Sequence, residues 1–234
     1  MNGNISVILL VILNSFSLRI MADTQDSILT VKKVKDFELS GEGKAPEWKN
    51  VDWVSLAKRD GVVNYKTQFK IAYSVKGIYC LFYCEDKQIT STIKKDYGDL
   101  FKEDVVEAFF WPDEASVVYF EYELSPYNFE LPILVPNYKG DFFGWLPWGP
   151  SGERATRHAT KINNEAGDVK SWTAEFFIPF ALLKPLQNIE PKKGTRWRAN
   201  FYRIDYDNGA SHWNWNPVQT NFHDYQRFGV LEFE

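Results

Sequence analysis

Five acidic residues on two neighbouring segments are the first candidates for chemistry in this sequence. Glu103, Asp104 and Glu107 lie on one segment, and Glu121 and Glu123 lie on the next. Glycosidases place two carboxyl groups about 5 to 9 Å apart across the bond that they cleave. A chain in which 25% of the residues are charged also produces such pairs by chance. The acidic residues therefore allow a hydrolase but do not require one.

The segment 104–112 (Asp-Val-Val-Glu-Ala-Phe-Phe-Trp-Pro) combines carboxylates with apolar residues. Strand alternation places Asp104 and Glu107 on opposite faces, each beside apolar side chains. A half-buried carboxylate needs hydrogen-bond donors, which an arginine, the backbone, a metal or a ligand hydroxyl can supply. A structural ion pair with Arg198 or Arg203 is one interpretation, and a ligand site is the other.

Aromatic residues make up 17% of the chain, with nine Trp, twelve Tyr and eighteen Phe. This is more than one core of such a domain needs. Aromatic rings have flat apolar faces, and Tyr and Trp add a polar edge. Those properties suit sugar rings, whose axial C–H groups form an apolar face surrounded by hydroxyls.

Other function classes leave no signature. The sequence contains no Gly-x-Ser-x-Gly elbow and no glycine-rich phosphate loop. Its three histidines are far apart, which does not match zinc-binding spacing. A net charge of −4 gives no basic footprint for nucleic acid. A haem or redox site with a Met/His axial pair is disfavoured, because both methionines, Met1 and Met21, fall in the predicted signal segment.

The hydrophobic pattern predicts short strands separated by turns. Residues 180–186 are predicted to form one helical turn. Together these patterns predict an all-β chain folded as an antiparallel β-sandwich, jelly-roll-like, with little helix. The clearest predicted strands are residues 67–73, 78–84, 104–111, 117–124, 158–162, 171–178, 195–204, 211–215 and 227–233.

Two features of the strand pattern need separate interpretation. Cys80 and Cys84 lie on one predicted strand, about 13 Å apart, whereas a disulfide needs Cα atoms within about 7 Å. We expect them to be unpaired, buried and apolar in character. Residues 126–150 contain five prolines with several aromatic rings and are predicted to form a long loop. Such a loop either serves a function or packs its rings onto the sheet.

The amino-terminal residues predict export. Ile5 to Leu13 is almost wholly apolar but too short and interrupted to span a membrane comfortably. The predicted signal peptide is residues 1–22, with cleavage near Ala22, and residues 23–234 form a single predicted domain. An uncleaved anchor is the alternative. The mature chain is expected to be secreted or periplasmic, without a membrane span.

Six blocks of sequence, in this order, resemble carbohydrate-binding module family 9, as found in secreted proteins of bacteria that degrade polysaccharides. The resemblance extends over nearly the whole mature chain and includes Ala-Pro-Glu-Trp at residues 45–48. The blocks are residues 104–112, 119–126 (Tyr-Phe-Glu-Tyr-Glu-Leu-Ser-Pro), 172–179 (Trp-Thr-Ala-Glu-Phe-Phe-Ile-Pro), 194–203, 213–217 and 228–233.

The resemblance implies a β-sandwich that holds a terminal sugar between two aromatic rings and hydrogen-bonds its hydroxyls. By position, Glu107 matches the family's hydroxyl-binding glutamate. Phe101 and Phe222 fall where the two stacking tryptophans are expected, so a ring is kept but the indole N–H is lost. Gln219 lies near the family's site asparagine. An arginine expected near Glu123 is absent, which changes the polar half of the site.

Glu123, Trp213 and Arg203 complete the set of predicted ligand-binding residues, although a core position or an ion pair would equally explain Trp213 and Arg203. The resemblance also implies structural calcium as a possible cofactor. The resulting prediction is a monomeric, non-catalytic protein that binds a mono- or oligosaccharide. Two alternatives remain, namely a glycoside hydrolase with a carboxylate pair and an interaction module whose sugar pocket has decayed.

Overall fold

The computed structural model describes residues 27–138 and 141–234, so the predicted signal peptide lies outside the described residues. Within those residues the chain forms fifteen strands. The strands are β1 (Ile28–Lys33), β2 (Val54–Ser55), β3 (Ala57–Asp60), β4 (Thr67–Tyr73), β5 (Gly77–Glu85), β6 (Val105–Trp111), β7 (Val118–Leu124), β8 (Glu130–Tyr138), β9 (Asp141–Phe142), β10 (Leu146–Pro147), β11 (Arg157–Glu165), β12 (Asp168–Pro179), β13 (Arg196–Asp205), β14 (Ser211–Asn214) and β15 (Gly229–Phe233).

Helical structure in the described residues consists of short 3-10 turns of three to five residues. The predicted turn after residue 179 is confirmed as one of them. Their bounds are Pro46–Asn50, Leu100–Lys102, Gly152–Arg154, Phe180–Leu183 and Tyr225–Arg227. None of the described helices has the length and apolar character needed to cross a membrane.

The strands form two sheets that share β1. The first sheet has the order β10-β8-β7-β6-β13-β15, with β14 and β3 continuing from β13, and the second has the order β4-β5-β12-β11. Most neighbours are antiparallel, which confirms the predicted sandwich. The exception is β1, whose first residues run parallel to β15 and whose last two run parallel to β4.

The core lies between the two sheets and is rich in aromatic rings. Phe69 on β4 stacks on Phe201 of β13, with 4.1 Å between ring centroids, so the contact joins the sheets. Phe82 on β5 packs against both rings. All three side chains are fully buried. Part of the high aromatic content therefore fills the core, where large rings bury much apolar area per residue.

Alternation along β6 gives the first sheet a second buried face. Val106, Ala108 and Phe110 point into the core between the sheets, whereas Val105 and Phe109 belong to a separate apolar cluster on the outer face. Loops cover this outer face, and the acidic residues of β6 and β7 point into it. The site described below is built on this face.

The prediction of one long loop over residues 126–150 is wrong, because β8 forms within it. Prolines at 132 and 136 break the strand pattern, yet their carbonyls accept hydrogen bonds from Trp148 and Phe143, on the side away from β7. Their missing N–H groups therefore face the outer side of β8, where β9 and β10, strands of two residues each, pair with it. Proline is tolerated at such an edge because few ladder bonds are lost.

Cys80 and Cys84 are confirmed as unpaired residues, both fully buried on β5. Burial raises the pKa of the Cys84 thiol to about 12. Both thiols are thus inert, apolar core groups at neutral pH.

Candidate functional site

A cavity of about 240 Å³ opens on the outer face of the first sheet. It has an aromatic wall, an acidic floor and a few basic groups. Its lining consists of the rings Phe101, Phe109, Phe142, Trp145 and Phe222, the acids Glu107, Glu121 and Glu123, the basic residues Arg59, His212 and His223, and Ile133, Ile204 and Asn221. A few polar groups within mainly apolar walls are typical of small-molecule sites.

The floor is formed by three glutamates on adjacent strands. Glu107 of β6 lies directly opposite Glu123 of β7 in the antiparallel register. Glu121 precedes Glu123 by two residues and therefore shares its face. One carboxylate oxygen from each lies within 4.8 Å of the others, and all three side chains are buried.

These carboxylates have few partners. Glu121 Oε2 and Glu123 Oε2 are buried without a hydrogen-bond partner. The backbone N–H of Phe101 donates to Glu123, and the Glu121 and Glu123 carboxyls also share a hydrogen bond with each other. The nearest basic group is the His223 ring, whose Nδ1 lies 3.8 Å from Glu121 Oε2. The cluster thus concentrates acceptors that a bound ligand could satisfy, since buried polar groups are normally hydrogen-bonded.

Burial governs the protonation of the floor. It raises the pKa of Glu107 to about 8. Burial, with repulsion from Glu107 adding to it, raises the pKa values of Glu121 and Glu123 well above their usual range. Without a bound cation, at least part of the cluster is protonated at neutral pH, so it can donate hydrogen bonds as well as accept them.

His223 carries no compensating charge. Burial lowers the pKa of its imidazole to about 4, so the ring is neutral at pH 7. Its Nδ1 lies 2.6 Å from the Tyr119 hydroxyl. The ring also stacks beneath Phe142, with 4.1 Å between centroids, and thus joins the aromatic wall.

The wall comes from three separate segments. Phe222 stacks on Tyr202 of β13 with a centroid separation of 4.0 Å, which fixes its ring plane. Phe101, in the turn before β6, meets Trp145 edge to face at 5.5 Å. Phe142 and Trp145 come from the segment that follows β8, and both rings are partly exposed.

Four of the residues predicted from the sequence line this one cavity. They are Phe101, Glu107, Glu123 and Phe222. Gln219 is not among the lining residues, and its side chain is exposed. Its backbone N–H donates to Asp224, which fixes the loop that carries Phe222.

Arg203 does not line the cavity, which corrects the prediction that it contacts the ligand. Its side chain is fully buried between the sheets. One guanidinium nitrogen donates to Asp86 at 3.0 Å and to Asp205 at 2.5 Å. The other donates to Thr67 Oγ1 and to the Glu85 carbonyl. The ion-pair interpretation of this arginine is therefore the one that the structure supports.

Trp213 is also placed in the core rather than at the cavity. It lies opposite Arg203 in the β13–β14 register and so points to the same face. Its ring lies 5.1 Å from the Arg203 guanidinium and is 1% exposed. Alternation accounts for both corrections, because Tyr202 and Ile204 on either side of Arg203 belong to the outer-face cluster instead.

Several lining residues lie outside the predicted set. The sequence could have indicated Glu121, because it is two residues from Glu123 on the same strand and therefore shares its face. Phe142 and Trp145 belong to the aromatic segment that the sequence marks as functional or packed. The sequence could not have indicated Arg59 and His212. They reach the cavity through the pairing of β3 with β14, and these strands are far apart in the sequence.

The other acidic residues near β6 have structural roles. Glu103 accepts hydrogen bonds from the backbone of Thr92 and Ile93. Asp104 accepts from the backbone of Thr90 and Tyr206. These contacts anchor the loops beside the cavity and exclude both carboxylates from its chemistry.

Two carboxylate clusters in the described residues have ligand atoms close enough for a metal. One is the glutamate floor, and the other comprises Asp86, Asp205 and Asp207. Calcium takes six to eight oxygen ligands. The aspartates are poorly suited to it, because the Arg203 guanidinium already pairs with both Asp86 and Asp205. The floor offers only carboxylates beneath rings and imidazoles. Structural calcium stays a prediction.

No protein-family model matches the sequence, and no curated protein matches it. Solved structures do match its fold. A protein from Bacteroides uniformis, whose carbohydrate-binding role is itself an inference, is 18% identical, with a TM-score of 0.70 over 90% of this chain and 100% of that chain.

Two further matches are structures of a carbohydrate-binding module of family 9 from Caldicellulosiruptor kristjanssonii. The cellotriose complex is 16% identical, with a TM-score of 0.64 over 89% of this chain and 94% of that chain. The glucose complex is also 16% identical, with a TM-score of 0.65 over 89% and 96%. The fold predicted from the sequence is therefore confirmed as family-9-like.

Proposed function

We propose that this chain is a non-catalytic carbohydrate-binding protein that holds a mono- or oligosaccharide in the cavity above β6 and β7. The observation that carries the proposal is the cavity itself, which aromatic rings and the carboxyl of Glu107 line together. The family-9-like fold supports it, because structures of that fold are complexes with cellotriose and glucose.

The mechanism follows from the lining groups. Phe101 and Phe222 offer apolar faces for the C–H face of a pyranose, and Phe222 is held in place by its stack on Tyr202. Glu107 and its neighbours exchange hydrogen bonds with ring hydroxyls. Each such contact contributes a few kcal/mol at most, so we expect dissociation constants from about 1 mM to 1 μM.

The arrangement of the carboxyls argues against a glycoside hydrolase. Such enzymes place their two carboxyls on either side of the scissile bond, about 5 to 9 Å apart. Here all three glutamates project from one sheet face on adjacent strands, with oxygens within 4.8 Å of one another. They form a floor beneath a ligand rather than a pair flanking it.

The experiment is calorimetry and a glycan array with the chain from residue 23 onward. We expect wild type to bind at least one sugar, Glu107→Ala to weaken that binding about tenfold or more, and Phe222→Ala to weaken it about three- to tenfold. Gln219→Ala serves as the control, since this side chain is exposed outside the cavity. Equal binding by all four proteins would place the sugar elsewhere.

Two related outcomes separate the alternatives. Release of chromophore from aryl glycosides would favour a hydrolase over a binding protein. Absence of binding across the array, with a cooperative thermal transition retained, would favour the interaction module with a decayed pocket. Export through residues 1–22 and a monomeric state remain predictions, to be checked by mass spectrometry of the exported chain and by light scattering.

A further inference from the structure

The glutamate floor lacks the positive charge that three buried carboxylates need. Among the described residues, the His223 ring is the only basic group within 4.0 Å of them, and burial keeps it neutral. Arg59 also lines the cavity, but its guanidinium donates to the Thr220 carbonyl and pairs with Asp60. Like charges directly opposite in a sheet repel one another, so the three carboxyls can all be ionised only when a cation lies beside them.

Two unpartnered atoms point to the position of that cation. Glu121 Oε2 and Glu123 Oε2 are fully buried, make no hydrogen bond and belong to residues that line the cavity. A protonated primary amine has three N–H donors and no acceptor. Charge-assisted bonds of about 2.8 Å from such a tetrahedral group need acceptors about 4.6 Å apart. One carboxylate oxygen from each of the three glutamates lies within 4.8 Å of the other two, an upper limit that permits this spacing.

The walls of the cavity suit an organic cation. Faces of Phe and Trp attract an ammonium group through the ring quadrupole, and aromatic cages that bind ammonium ligands use this attraction. Phe101, Phe222 and Trp145 provide such faces around the floor. A bare metal ion would gain nothing from them and would need more oxygen ligands than the floor and its neighbours supply.

We propose that the cavity selects an amino sugar, with the protonated primary amine bound by Glu107, Glu121 and Glu123 and the pyranose ring held between the aromatic walls. This inference rests on the proposed carbohydrate binding and specifies the class of sugar.

Binding of an ammonium group should change the number of protons that the glutamates hold, and this change can be measured. Burial raises the pKa of each glutamate, so the free floor holds protons at neutral pH. An arriving ammonium ionises one carboxyl, and about one proton leaves for solvent. Binding therefore strengthens from pH 5 towards pH 7.5 and weakens again once the free amine loses its proton. The other titratable groups at the cavity are Arg59, His212, His223, Tyr119, Tyr202 and Tyr206.

The test compares matched sugars by calorimetry at pH 7. Glucosamine and galactosamine are titrated beside their N-acetylated forms and beside glucose and galactose, in two buffers of different ionisation enthalpy. We expect at least one amine to bind tenfold or more tightly than both its acetylated and its neutral counterpart, with release of about one proton. Each titration is repeated with EDTA and with added calcium chloride.

Variants of the glutamates test whether these residues cause the preference for the amine. In Glu121→Gln and Glu123→Gln the ratio of amine to neutral-sugar affinity is expected to fall below threefold. Glu114→Gln, in the exposed turn between β6 and β7, is expected to keep the wild-type ratio. Thermal transitions identify any variant that fails to fold, and the comparison of ligands on wild type stands without the variants.

The outcomes separate this inference from the proposed function. Neutral or acetylated sugars that bind as tightly as the amines would overturn the inference while leaving carbohydrate binding intact. Binding that EDTA abolishes and calcium restores would assign the floor to a metal and would likewise overturn it. Failure of every sugar here and on the glycan array would reject both proposals.

Discussion

Strands β6 and β7 place Glu107 directly opposite Glu123, and Glu121 beside them, on a face that loops cover. Such a cluster lowers stability, because each carboxylate leaves water and repels its neighbours. Perturbed carboxyls of this kind, in a cavity and without a structural partner, are more typical of a binding site than of a core. At the scale of single residues, the stability of the folded chain must therefore depend on pH through these glutamates.

We predict that the free protein loses stability as pH rises from about 4.5 to 8. The folded pKa values of Glu107 and Asp104 are raised to about 8 and that of Asp86 to about 7. The folded chain thus binds more protons than the unfolded chain in this window, and the free energy of unfolding falls with pH. His223 acts in the opposite direction below pH 6.5, because its folded pKa is lowered to about 4.

The measurement is the thermal midpoint between pH 5 and 8.5 for wild type and for the double variant Glu121→Gln/Glu123→Gln. The double variant should show a smaller fall across the window, because two of the titrating groups are gone. Parallel curves for the two proteins would contradict the assignment of the pH dependence to the floor.

At the scale of elements, the segment after β8 supplies one wall of the cavity. Phe142 and Trp145 line it, whereas Phe143 between them does not. All three rings are substantially exposed, with 39%, 41% and 62% of their surface accessible. Rings that are exposed in the free protein and face a cavity are better explained by contact with a ligand than by packing.

We predict that Trp145→Ala and Phe142→Ala weaken sugar binding by about three- to tenfold, because each stacking contact contributes about 0.5 to 1.5 kcal/mol. Phe143→Ala is the matched control from the same segment and should bind as wild type does. Calorimetry checks the affinities. All three thermal midpoints should stay within about 2 °C of wild type, since exposed rings add little to the core. An equal loss of affinity in Phe143→Ala would indicate a general change in the segment.

The turn after β3 has a steric requirement that affects the cavity rim. Gly61 has φ +95°, and a Cβ there would lie 2.3 Å from the Cα of Ser211 on β14. Gly61→Ala is expected to cost about 3 kcal/mol or more, from backbone strain plus displacement of β3. Gly167 has a similar φ of +96° but open space around it, so Gly167→Ala measures the backbone strain alone. This variant should lower the free energy of unfolding by about 1 kcal/mol. Denaturant unfolding measures both, and equal losses would contradict the clash.

The sequence predicted most strands and part of the site for identifiable reasons. Alternation located β4, whereas the nearly continuous apolar runs of β5 and β6 indicated strands that are buried on both faces. It missed β8, whose prolines are acceptable only because they face a sheet edge. Glu107 and Phe222 were found through the family resemblance, but Arg59 depends on a strand pairing between distant segments, which local pattern does not encode.

At the scale of the whole molecule, the side chain of one arginine links the two sheets. Arg203 projects from β13 of the first sheet and binds the carbonyl of Glu85 and the carboxylate of Asp86 at the end of β5 in the second. Trp172 donates its indole N–H to the same Asp86 oxygen. The sequence left an ion pair and a ligand contact open for Arg203, since charge alone does not show which face of a strand is buried.

We predict that Arg203→Met lowers the free energy of unfolding by about 3 to 5 kcal/mol, because Asp86 and Asp205 would remain buried without their partner. Arg196→Met, at the exposed start of the same strand, is the control. Its pair with Glu232 is about half exposed and should be worth less than about 1 kcal/mol. Chemical denaturation measures both. A loss below 1 kcal/mol for Arg203→Met would show that the aspartates are neutral without it.

Strand β1 lies between β15 and β4, so the first and last strands meet in the middle of the strand order. The seam between the two halves of the sandwich cannot close until β1 and β15, which are far apart in the sequence, have come together. A closure that joins such distant segments is slow compared with the pairing of adjacent hairpins. We therefore expect the two sheets to join late in folding, and β15 to be required for that joining.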